Sequence, residues 1–240
     1  AQVLVLYADV PLITQQTLEN LLAVANGGTA VLVDTLENPT GYGRVISDPN
    51  GFVQAIVEQK DATDLQKSVK QINTGVIIAQ ASQLKLWLSK LGNNNAQGEY
   101  YLTDIFAMAA NEKKPAKIAA CLSVGEADGA NDPAQLATLE RRFQYRVAQH
   151  LMLQGVRLAD PARLDVRGEV TTGIDVEIDV NVVLEGKIIL GDGVKIGPFC
   201  KLKNVTLILL NNQLYHLHQS LFYKRQIFLC GMKTIFFFTF

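Results

Sequence analysis

The sequence predicts a mixed α/β domain that is followed by the start of a parallel β-helix. Up to about residue 154, apolar segments of strand length alternate with segments of helical periodicity, which is typical of a sheet covered by helices. From Gly173 onward, apolar residues recur at every sixth position. A six-residue period with short strands is typical of a β-helix built from hexapeptide repeats.

The composition excludes several functional classes. The chain has 240 residues, of which 48% are hydrophobic and 19% charged, as in a globular protein. Its net charge of −1 gives no electrostatic reason to expect a nucleic acid or a membrane surface as a partner. The three cysteines are scattered, without metal-ligand spacing and in an odd number, so we expect a cytoplasmic protein without a disulfide framework. The chain opens without Met, almost directly in a strand, which leads us to expect a fragment that lacks its N-terminal part.

The first predicted strand delivers a carboxylate at its end. Val3 to Tyr7 is predicted to be a buried strand, and the turn behind it carries Asp9 and is closed by Pro11. Open α/β sheets place ligand-binding groups in the crevice beyond the strand ends. Asp9 is therefore a candidate metal ligand, with an ordinary turn aspartate as the alternative.

Capping and turn residues define the elements up to residue 79. Thr14 is predicted to cap a helix that runs through Ala25. Asn26 and the two glycines that follow it are predicted to end this helix. Strands and loops are predicted to follow in this order: the strand Thr29–Leu36, the glycine-rich loop Asn38–Arg44, the hairpin Val45–Val57 with its turn at 48–51, and the strand Ile72–Ala79.

Helices dominate the next part of the chain. The predicted elements are helices at Ser82–Leu91 and Tyr101–Asn111, a strand at Lys117–Val124, a loop at Glu126–Asp132 and a long helix at Pro133–Gln154. Pro133 suits a first helical turn and Gly155 a C-terminal stop. The alternation of strands and helices predicts a mostly parallel sheet, from which the hairpin is an antiparallel departure.

Two interleaved apolar series carry the hexapeptide prediction. Their members are Val176, Val182, Ile188, Val194 and Cys200, and Ile178, Leu184, Leu190, Ile196 and Leu202. A β-meander is the alternative, but two series with five members each favour the β-helix. The period stops at Thr206, and the Phe-rich segment that follows is expected not to join the fold.

Polar residues in four loops form a candidate binding site. Gly41 and Gly43 let a ligand approach the backbone closely. Glu58 can accept hydrogen bonds from sugar hydroxyls, and Asn73 can both donate and accept. Taken singly, each has an ordinary explanation, as a turn glycine, a solvated glutamate or a strand-edge asparagine.

Taken together, these loops resemble one family. The motifs are Y-A-D-V-P-L, N-P-T-G-Y-G-R, E-Q-K-D-A, I-N-T-G, N-N-N-A-Q-G-E-Y-Y-L-T-D and the later hexapeptides. In order and spacing they resemble the bacterial bifunctional N-acetylglucosamine-1-phosphate uridylyltransferase / glucosamine-1-phosphate N-acetyltransferase, from about Val3 to Val205. The resemblance implies a nucleotidyltransferase-type, Rossmann-like mixed sheet before a left-handed β-helix. It divides the chain into a uridylyltransferase domain (1–132), a linker helix (133–155), the start of a hexapeptide-repeat domain (156–205) and an aberrant tail (206–240).

The resemblance also implies a reaction and its site. The sugar phosphate would attack the α-phosphorus of UTP and yield UDP-N-acetylglucosamine and pyrophosphate, for peptidoglycan and lipopolysaccharide (lipid A) precursors. Mg²⁺ would be held by Asp9 and Asn131. The other implied contacts are Tyr7 and Ala8, which line the nucleotide-sugar pocket; Gly43, Glu58 and Asn73, which hold the N-acetylglucosamine moiety; and Tyr101 and Thr103, which add sugar contacts.

The chain departs from the family pattern at both ends. The glycine-rich phosphate loop of the family would precede residue 1, and most of the β-helix that forms a homotrimer and holds acetyl-CoA for acetylation of glucosamine-1-phosphate is missing. We therefore expect little turnover by this chain alone. Two alternatives stay open: another sugar-1-phosphate nucleotidyltransferase, such as one acting on glucose-1-phosphate, or a non-catalytic sugar-nucleotide-binding module.

Overall fold

The computed structural model of the chain describes residues 1–210 and 213–218. It divides into two compact units, of which the first comprises residues 1–135 and the second begins at Leu136. Within the described residues, no helix combines the length and the apolar character needed to cross a membrane.

A six-stranded mixed sheet forms the centre of the first unit. Its strands are β1 (Gln2–Val5), β2 (Ala30–Thr35), β3 (Arg44–Ser47), β4 (Val53–Val57), β5 (Gln71–Gln80) and β6 (Lys117–Ala120). The order is β4-β3-β5-β2-β6, with β1 paired to β5. This confirms the mixed α/β class that the sequence predicts.

The prediction of a mostly parallel sheet is wrong. In this sheet β2 and β6 pair in parallel, whereas β5 runs antiparallel to β1, β2 and β3. The reason is that β5 lies between β1 and β2, which point in the same direction but do not pair. The alternation of strands and helices predicts the common direction of β1, β2 and β6, but not the insertion of a strand that returns between them.

Helices and turns connect these strands. They are α1 (Gln15–Ala25), α2 (Asp64–Lys67), α3 (Ala81–Leu88), a 3-10 turn (Leu102–Asp104) and α4 (Ile105–Asn111). The predicted caps of α1 are confirmed: the Thr14 side chain accepts a hydrogen bond from the Thr17 N–H, and Asn26 adopts the left-handed conformation with φ of 45°. The sequence prediction missed α2, which a capping box between Thr63 and Gln66 starts.

Both faces of the sheet are covered. Along β5, Ile77 and Ala79 belong to one apolar cluster with Trp87 and Phe106, whereas Val76 and Ile78 belong to another with Leu21. A central strand buried on both faces reads as a continuous apolar run. Such packing leaves the strand ends and their loops as the place for polar groups.

Two strand predictions differ from the structure. The prediction that Val3–Tyr7 is a buried strand is wrong: β1 ends at Val5, none of the five residues is buried, and Leu6 and Tyr7 are 51% and 43% exposed. The predicted strand Lys117–Val124 ends at Ala120. Its last residues leave the sheet because the N–H groups of Leu122 and Ser123 donate to the Glu126 carboxylate instead.

The second unit consists largely of short strands. Helix α5 (Pro133–Leu153) begins at the predicted residue and leads into them. The strands are β7 (Arg157–Leu158), β8 (Leu164–Thr172), β9 (Glu177–Ile178), β10 (Val182–Leu190), β11 (Lys195–Ile196), β12 (Lys201–Leu210) and β13 (Gln213–His218). One parallel sheet has the order β11-β9-β7, and in the other β8, β10 and β12 are parallel.

The register of these strands follows the hexapeptide period. Val182 pairs with Leu164 and Lys195 with Glu177, in each case eighteen residues or three hexads apart. All ten residues of the two predicted apolar series are buried in one cluster. The period therefore decides which side chains form the core of this unit.

The segment after residue 205 was expected to join no part of the fold, but its first residues do join it. The pairing of β12 with β10 continues to Leu207, which is buried in the same apolar cluster. β13 then pairs with β12 in the antiparallel direction, so it is a hairpin arm and not another parallel turn of the chain. The rest of the predicted tail lies outside the described residues.

Candidate functional site

Gly43 and Glu58 lie against each other at the open end of the β3–β4 hairpin. A Cβ atom added at Gly43 would lie 3.1 Å and 3.2 Å from the two carboxylate oxygens of Glu58, so a side chain there would displace the carboxylate. The Thr103 hydroxyl donates a hydrogen bond to Glu58 Oε1 over 3.1 Å. The N–H of Asn73 donates to the Gly43 carbonyl over 2.9 Å. Four predicted site residues from four segments therefore meet here.

Tyr7 connects this group to Asp9. Its ring packs on Gly75, where an added Cβ would lie 2.3 Å from a ring carbon and where φ is +80°. Partial burial raises the pKa of the Tyr7 phenol, and the negative charges of Glu58 and Asp9 raise it further. The phenol thus stays neutral, and both carboxylates lie near enough to act on it.

Asp9 lies beside the loop that carries Asn131. Its carbonyl accepts a hydrogen bond from the Ala130 N–H over 3.0 Å. A Cβ atom added at Gly129 would lie 3.8 Å from a carboxylate oxygen of Asp9. Both Asp9 and Asn131 are exposed, as is Ala8, and the Asn131 N–H donates to Gln135 Oε1 over 2.7 Å. The two segments predicted to hold a metal are thus adjacent, although they are far apart in sequence.

The donor chemistry of this pair suits Mg²⁺. Mg²⁺ prefers oxygen ligands and usually keeps waters and phosphates beside one or two protein side chains. A carboxylate and an amide oxygen from neighbouring segments can satisfy that demand. Within the part of the chain that the structure describes, no group of three or more His, Cys, Asp and Glu side chains could hold a metal on its own.

The loop before Tyr101 is attached to the same region. Asp61 accepts the N–H of Ala96 over 2.9 Å, and the Tyr101 hydroxyl donates to Gln97 Oε1 over 3.1 Å. Desolvation raises the pKa of Tyr101, and the charges of Asp61 and Glu58 act in the same direction. Tyr101 therefore lies within electrostatic reach of Glu58, on the side of the predicted sugar contacts.

Arg44 is a component of this site that sequence reasoning did not single out. It is 1% exposed, and its guanidinium donates to the Tyr42 carbonyl and, over 2.7 Å, to Gln59 Oε1. Gln59 Oε1 also accepts the Gly41 N–H over 3.3 Å. Arg44 thereby joins the glycine-rich loop to the segment that carries Glu58. The arginine is visible in the sequence motif, but its burial is not.

Glu126 is the second residue that was missed. Its side chain is fully buried and accepts hydrogen bonds from Thr14, Thr17, Leu122 and Ser123. Burial alone would raise the pKa of this carboxyl, but the hydrogen bonds from Thr14, Thr17 and Leu122 outweigh it, so the pKa lies below its ordinary value. Nothing in the sequence distinguishes Glu126 from a solvated loop glutamate.

The first unit belongs to a recognisable class: an α/β protein built on a six-stranded mixed sheet. Comparison with curated proteins identifies its relatives. Over 207 residues, 86% of this chain, it is 61% identical to the Bifunctional protein GlmU of Stenotrophomonas maltophilia. The identity is 54% over 206 residues to that of Pseudomonas putida, and 52% over 205 residues to that of a Marinomonas species. The matched part of this chain is therefore a homologue of the GlmU proteins.

The extent of these matches is limited. The chain spans 45% of the length of each of these three relatives. No family model matches the chain. A solved Bacillus anthracis structure assigned as a glucose-1-phosphate thymidylyltransferase aligns over 52% of this chain and 46% of its own, with a TM-score of 0.36 and 17% identity, which is too low to support an argument.

Proposed function

We propose that the protein to which this chain belongs transfers UMP from UTP to N-acetylglucosamine-1-phosphate in an Mg²⁺-dependent reaction that releases pyrophosphate. One observation carries the proposal. The predicted site residues are neighbours in the structure. Asn73 is hydrogen-bonded to Gly43, which lies against Glu58, and the charges of Glu58 and Asp9 both act on Tyr7. Asp9 is in turn hydrogen-bonded to the loop that carries Asn131. The GlmU homologues support it, since the family that this chain resembles performs this reaction.

The sugar would occupy the side formed by Gly43, Glu58 and Asn73. The Glu58 carboxylate is oriented by the Thr103 hydroxyl and has one oxygen outside that hydrogen bond for a sugar hydroxyl. The Asn73 side chain already accepts the Gly75 N–H over 3.0 Å, which leaves its amide N–H groups as donors to the ligand. Tyr101 and Thr103 would add contacts, and Tyr7 and Ala8 would line the path to the phosphates.

Asp9 and Asn131 would hold Mg²⁺ at the phosphate side. When bound, the ion would neutralise part of the charge on the transferred phosphoryl group and the leaving pyrophosphate. The chain itself contributes positioning, because the hydrogen bond from the Ala130 N–H to the Asp9 carbonyl joins the two loops.

For the second unit we propose the start of a left-handed β-helix at 156–205, joined by a linker helix at 133–155 to a uridylyltransferase domain at 1–132. The eighteen-residue register and the buried hexad positions support this. The whole protein would be a cytoplasmic homotrimer that also acetylates glucosamine-1-phosphate from acetyl-CoA, and would supply precursors of peptidoglycan and lipid A. The segment 206–240 is proposed to lie outside this domain, apart from the strand residues that pair with it.

Ligand binding tests the site in this chain. Isothermal titration with UDP-N-acetylglucosamine should show binding that Mg²⁺ strengthens and that exceeds binding of UDP-glucose. Glu58→Gln should weaken it about tenfold to a hundredfold, since a hydrogen bond to a charged group is worth about 1.5–3 kcal/mol. Leu65→Ser, at a position that is 82% exposed, is the control and should bind as the wild type does.

Two results would contradict the proposal. Equal affinity for the two nucleotide sugars would favour a transferase for another sugar-1-phosphate. If Mg²⁺ still strengthens binding of UDP-N-acetylglucosamine in Asp9→Ala, the assignment of Asp9 as a metal ligand is wrong. In the whole protein, pyrophosphate release from UTP and N-acetylglucosamine-1-phosphate, abolished by Asp9→Ala, separates an enzyme from a non-catalytic binding module.

A further inference from the structure

We infer that Glu126 is a positioning residue that sets the separation of Asp9 and Asn131, and through it the affinity of this site for a divalent cation. The inference rests on the proposed function, because it concerns the two side chains assigned there to the metal. Glu126 is not a ligand itself: it is fully buried, whereas Asp9 and Asn131 are exposed.

One group of donors to Glu126 comes from the start of α1. The Thr14 N–H donates to Oε1 over 2.7 Å, and the Thr17 hydroxyl lies 2.9 Å from Oε1 and 2.8 Å from Oε2. Thr14 is the N-cap of α1, and the turn with Asp9 leads directly into it. These bonds therefore fix the segment that carries Asp9.

The other donors come from the loop that contains Glu126. The N–H groups of Leu122 and Ser123 donate to Oε2 over 3.2 Å and 3.3 Å. The same loop continues to Asn131, and its Ala130 N–H donates to the Asp9 carbonyl over 3.0 Å. Two hydrogen-bonded connections thus join the same two segments, one buried at Glu126 and one between Ala130 and Asp9.

A glutamine cannot replace this carboxylate. Oε1 accepts the Thr14 N–H, and Oε2 accepts the N–H groups of Leu122 and Ser123. Whichever oxygen becomes an NH₂ group, a donor then faces a backbone donor inside the protein. The loop must move to relieve that contact, and Asn131 moves with it.

The experiment measures cation affinity directly. Mn²⁺ is titrated into the chain in the presence of UDP-N-acetylglucosamine, and free Mn²⁺ is followed by electron paramagnetic resonance against a protein-free blank. The variants are Glu126→Gln and Thr17→Val, with Thr17→Ser as the matched control that keeps the hydroxyl. Leu84→Ala, in the apolar cluster on one face of the sheet, controls for lost stability alone.

The expected result separates positioning from a merely structural role. At a temperature where circular dichroism shows every variant folded, Glu126→Gln should bind Mn²⁺ about tenfold or more weakly, which is the usual cost of removing a group that orients metal ligands. Thr17→Val should show a smaller loss, and Thr17→Ser and Leu84→Ala should match the wild type. If Glu126→Gln does not fold, the contrast between Thr17→Val and Thr17→Ser decides.

Other outcomes overturn the inference. Unchanged Mn²⁺ affinity in folded Glu126→Gln, or an equal loss in Leu84→Ala, would show that Glu126 only stabilises the loop. Asp9→Ala distinguishes this failure from failure of the proposed function. If Asp9→Ala abolishes binding while Glu126→Gln does not change it, only the role of Glu126 is wrong; if the wild type binds no Mn²⁺, both fail.

Discussion

At the scale of single residues, Cys121 is a partly buried thiol beside the polar loops. It follows β6 directly and lies close to three carboxylates. Desolvation raises the pKa of its thiol to about 12, and the charges of Asp34, Glu126 and Asp128 contribute in the same direction. Both effects disfavour the thiolate, which is the nucleophilic form.

We therefore expect Cys121 to resist alkylation in the folded protein. A pKa of about 12 leaves about 10⁻⁴ of the thiol ionised at pH 8. Peptide mass spectrometry after iodoacetamide treatment should find Cys121 labelled far more slowly in the native chain than in urea. Asp34→Asn should change this rate only slightly, because burial is the larger cause. Equal labelling rates with and without urea would contradict the burial of the thiol.

At the scale of elements, Gln144 of α5 takes the place of a neighbouring strand beside β8. Its Oε1 accepts the Val166 N–H over 2.7 Å, and its Nε2 donates to the Val166 carbonyl over 2.9 Å. Among the described strands, β8 has one neighbour, β10. The amide thus satisfies the backbone groups that an edge strand would leave unpaired.

Gln144→Met should destabilise the second unit. The substitution keeps the apolar stem but leaves the Val166 N–H and carbonyl buried without partners, which costs about 1–3 kcal/mol for each group. Urea unfolding followed by circular dichroism measures the loss. Tyr145→Met, at a neighbouring position that is 58% exposed, is the control and should change the free energy of unfolding little. Equal stability of both variants would show that water replaces the amide.

The parallel strands of the second unit also align opposite charges. Arg157, Glu177 and Lys195 occupy successive paired positions and form ion pairs. Glu185 likewise pairs with Lys201 and Lys203 of the next strand. Hydrogen bonds from these two lysines lower the pKa of Glu185 to about 2. A shift of the strands by one residue would separate these partners.

The lowered pKa of Glu185 predicts a specific pH dependence. Its stabilising contribution is complete above the ordinary pKa of 4.5 and is lost as the pH falls toward about 2. Glu185→Gln should therefore be less stable than the wild type at pH 7 and low salt, and most of the difference should be lost by pH 2. Salt should reduce it, since the pairs lie at the surface. Thermal unfolding across pH tests this, with Glu169→Gln as the control; a difference as large at pH 2 as at pH 7 would contradict the assignment.

At the scale of the whole molecule, the candidate site and the repeat strands belong to different units. All the proposed site residues lie within residues 1–135, which have their own apolar clusters. The hexad positions form a separate cluster in the unit that begins at Leu136. Loss of packing in one cluster should therefore act first on its own unit.

Leu184→Ala tests this separation in the intact chain. Leu184 is fully buried in the repeat cluster, so the substitution should cost about 2–5 kcal/mol and unfold the second unit at lower urea. Binding of UDP-N-acetylglucosamine, measured by titration before that transition, should stay within about twofold of the wild type. Leu21→Ala, in a cluster of the first unit, should instead unfold the first unit at lower urea, so that binding is lost with that transition. Loss of binding in Leu184→Ala would show that the site depends on the second unit.

Local chemistry made much of this fold predictable. Thr14 caps α1 and Asn26 ends it in the left-handed conformation, because both effects depend on the residue and its immediate neighbours. The hexad period predicts the buried positions from Val176 to Leu202, because the position of a residue within each repeat determines whether its side chain faces inward. The loops with Asp9, Gly43, Glu58 and Asn73 were singled out by their resemblance to the motifs of one family, and their role in binding stays a prediction.

Only the tertiary structure decides how these segments meet. The sequence determines that strands and helices alternate, but the insertion of β5 between β1 and β2 depends on pairing between distant segments. Contacts between distant segments also explain three further features: the burial of Arg44 and Glu126, the early end of β6, and the pairing of Gln144 with Val166. A charged or amide side chain is buried only where the folded chain supplies its hydrogen-bond partners, and those partners are up to 112 residues away in the sequence.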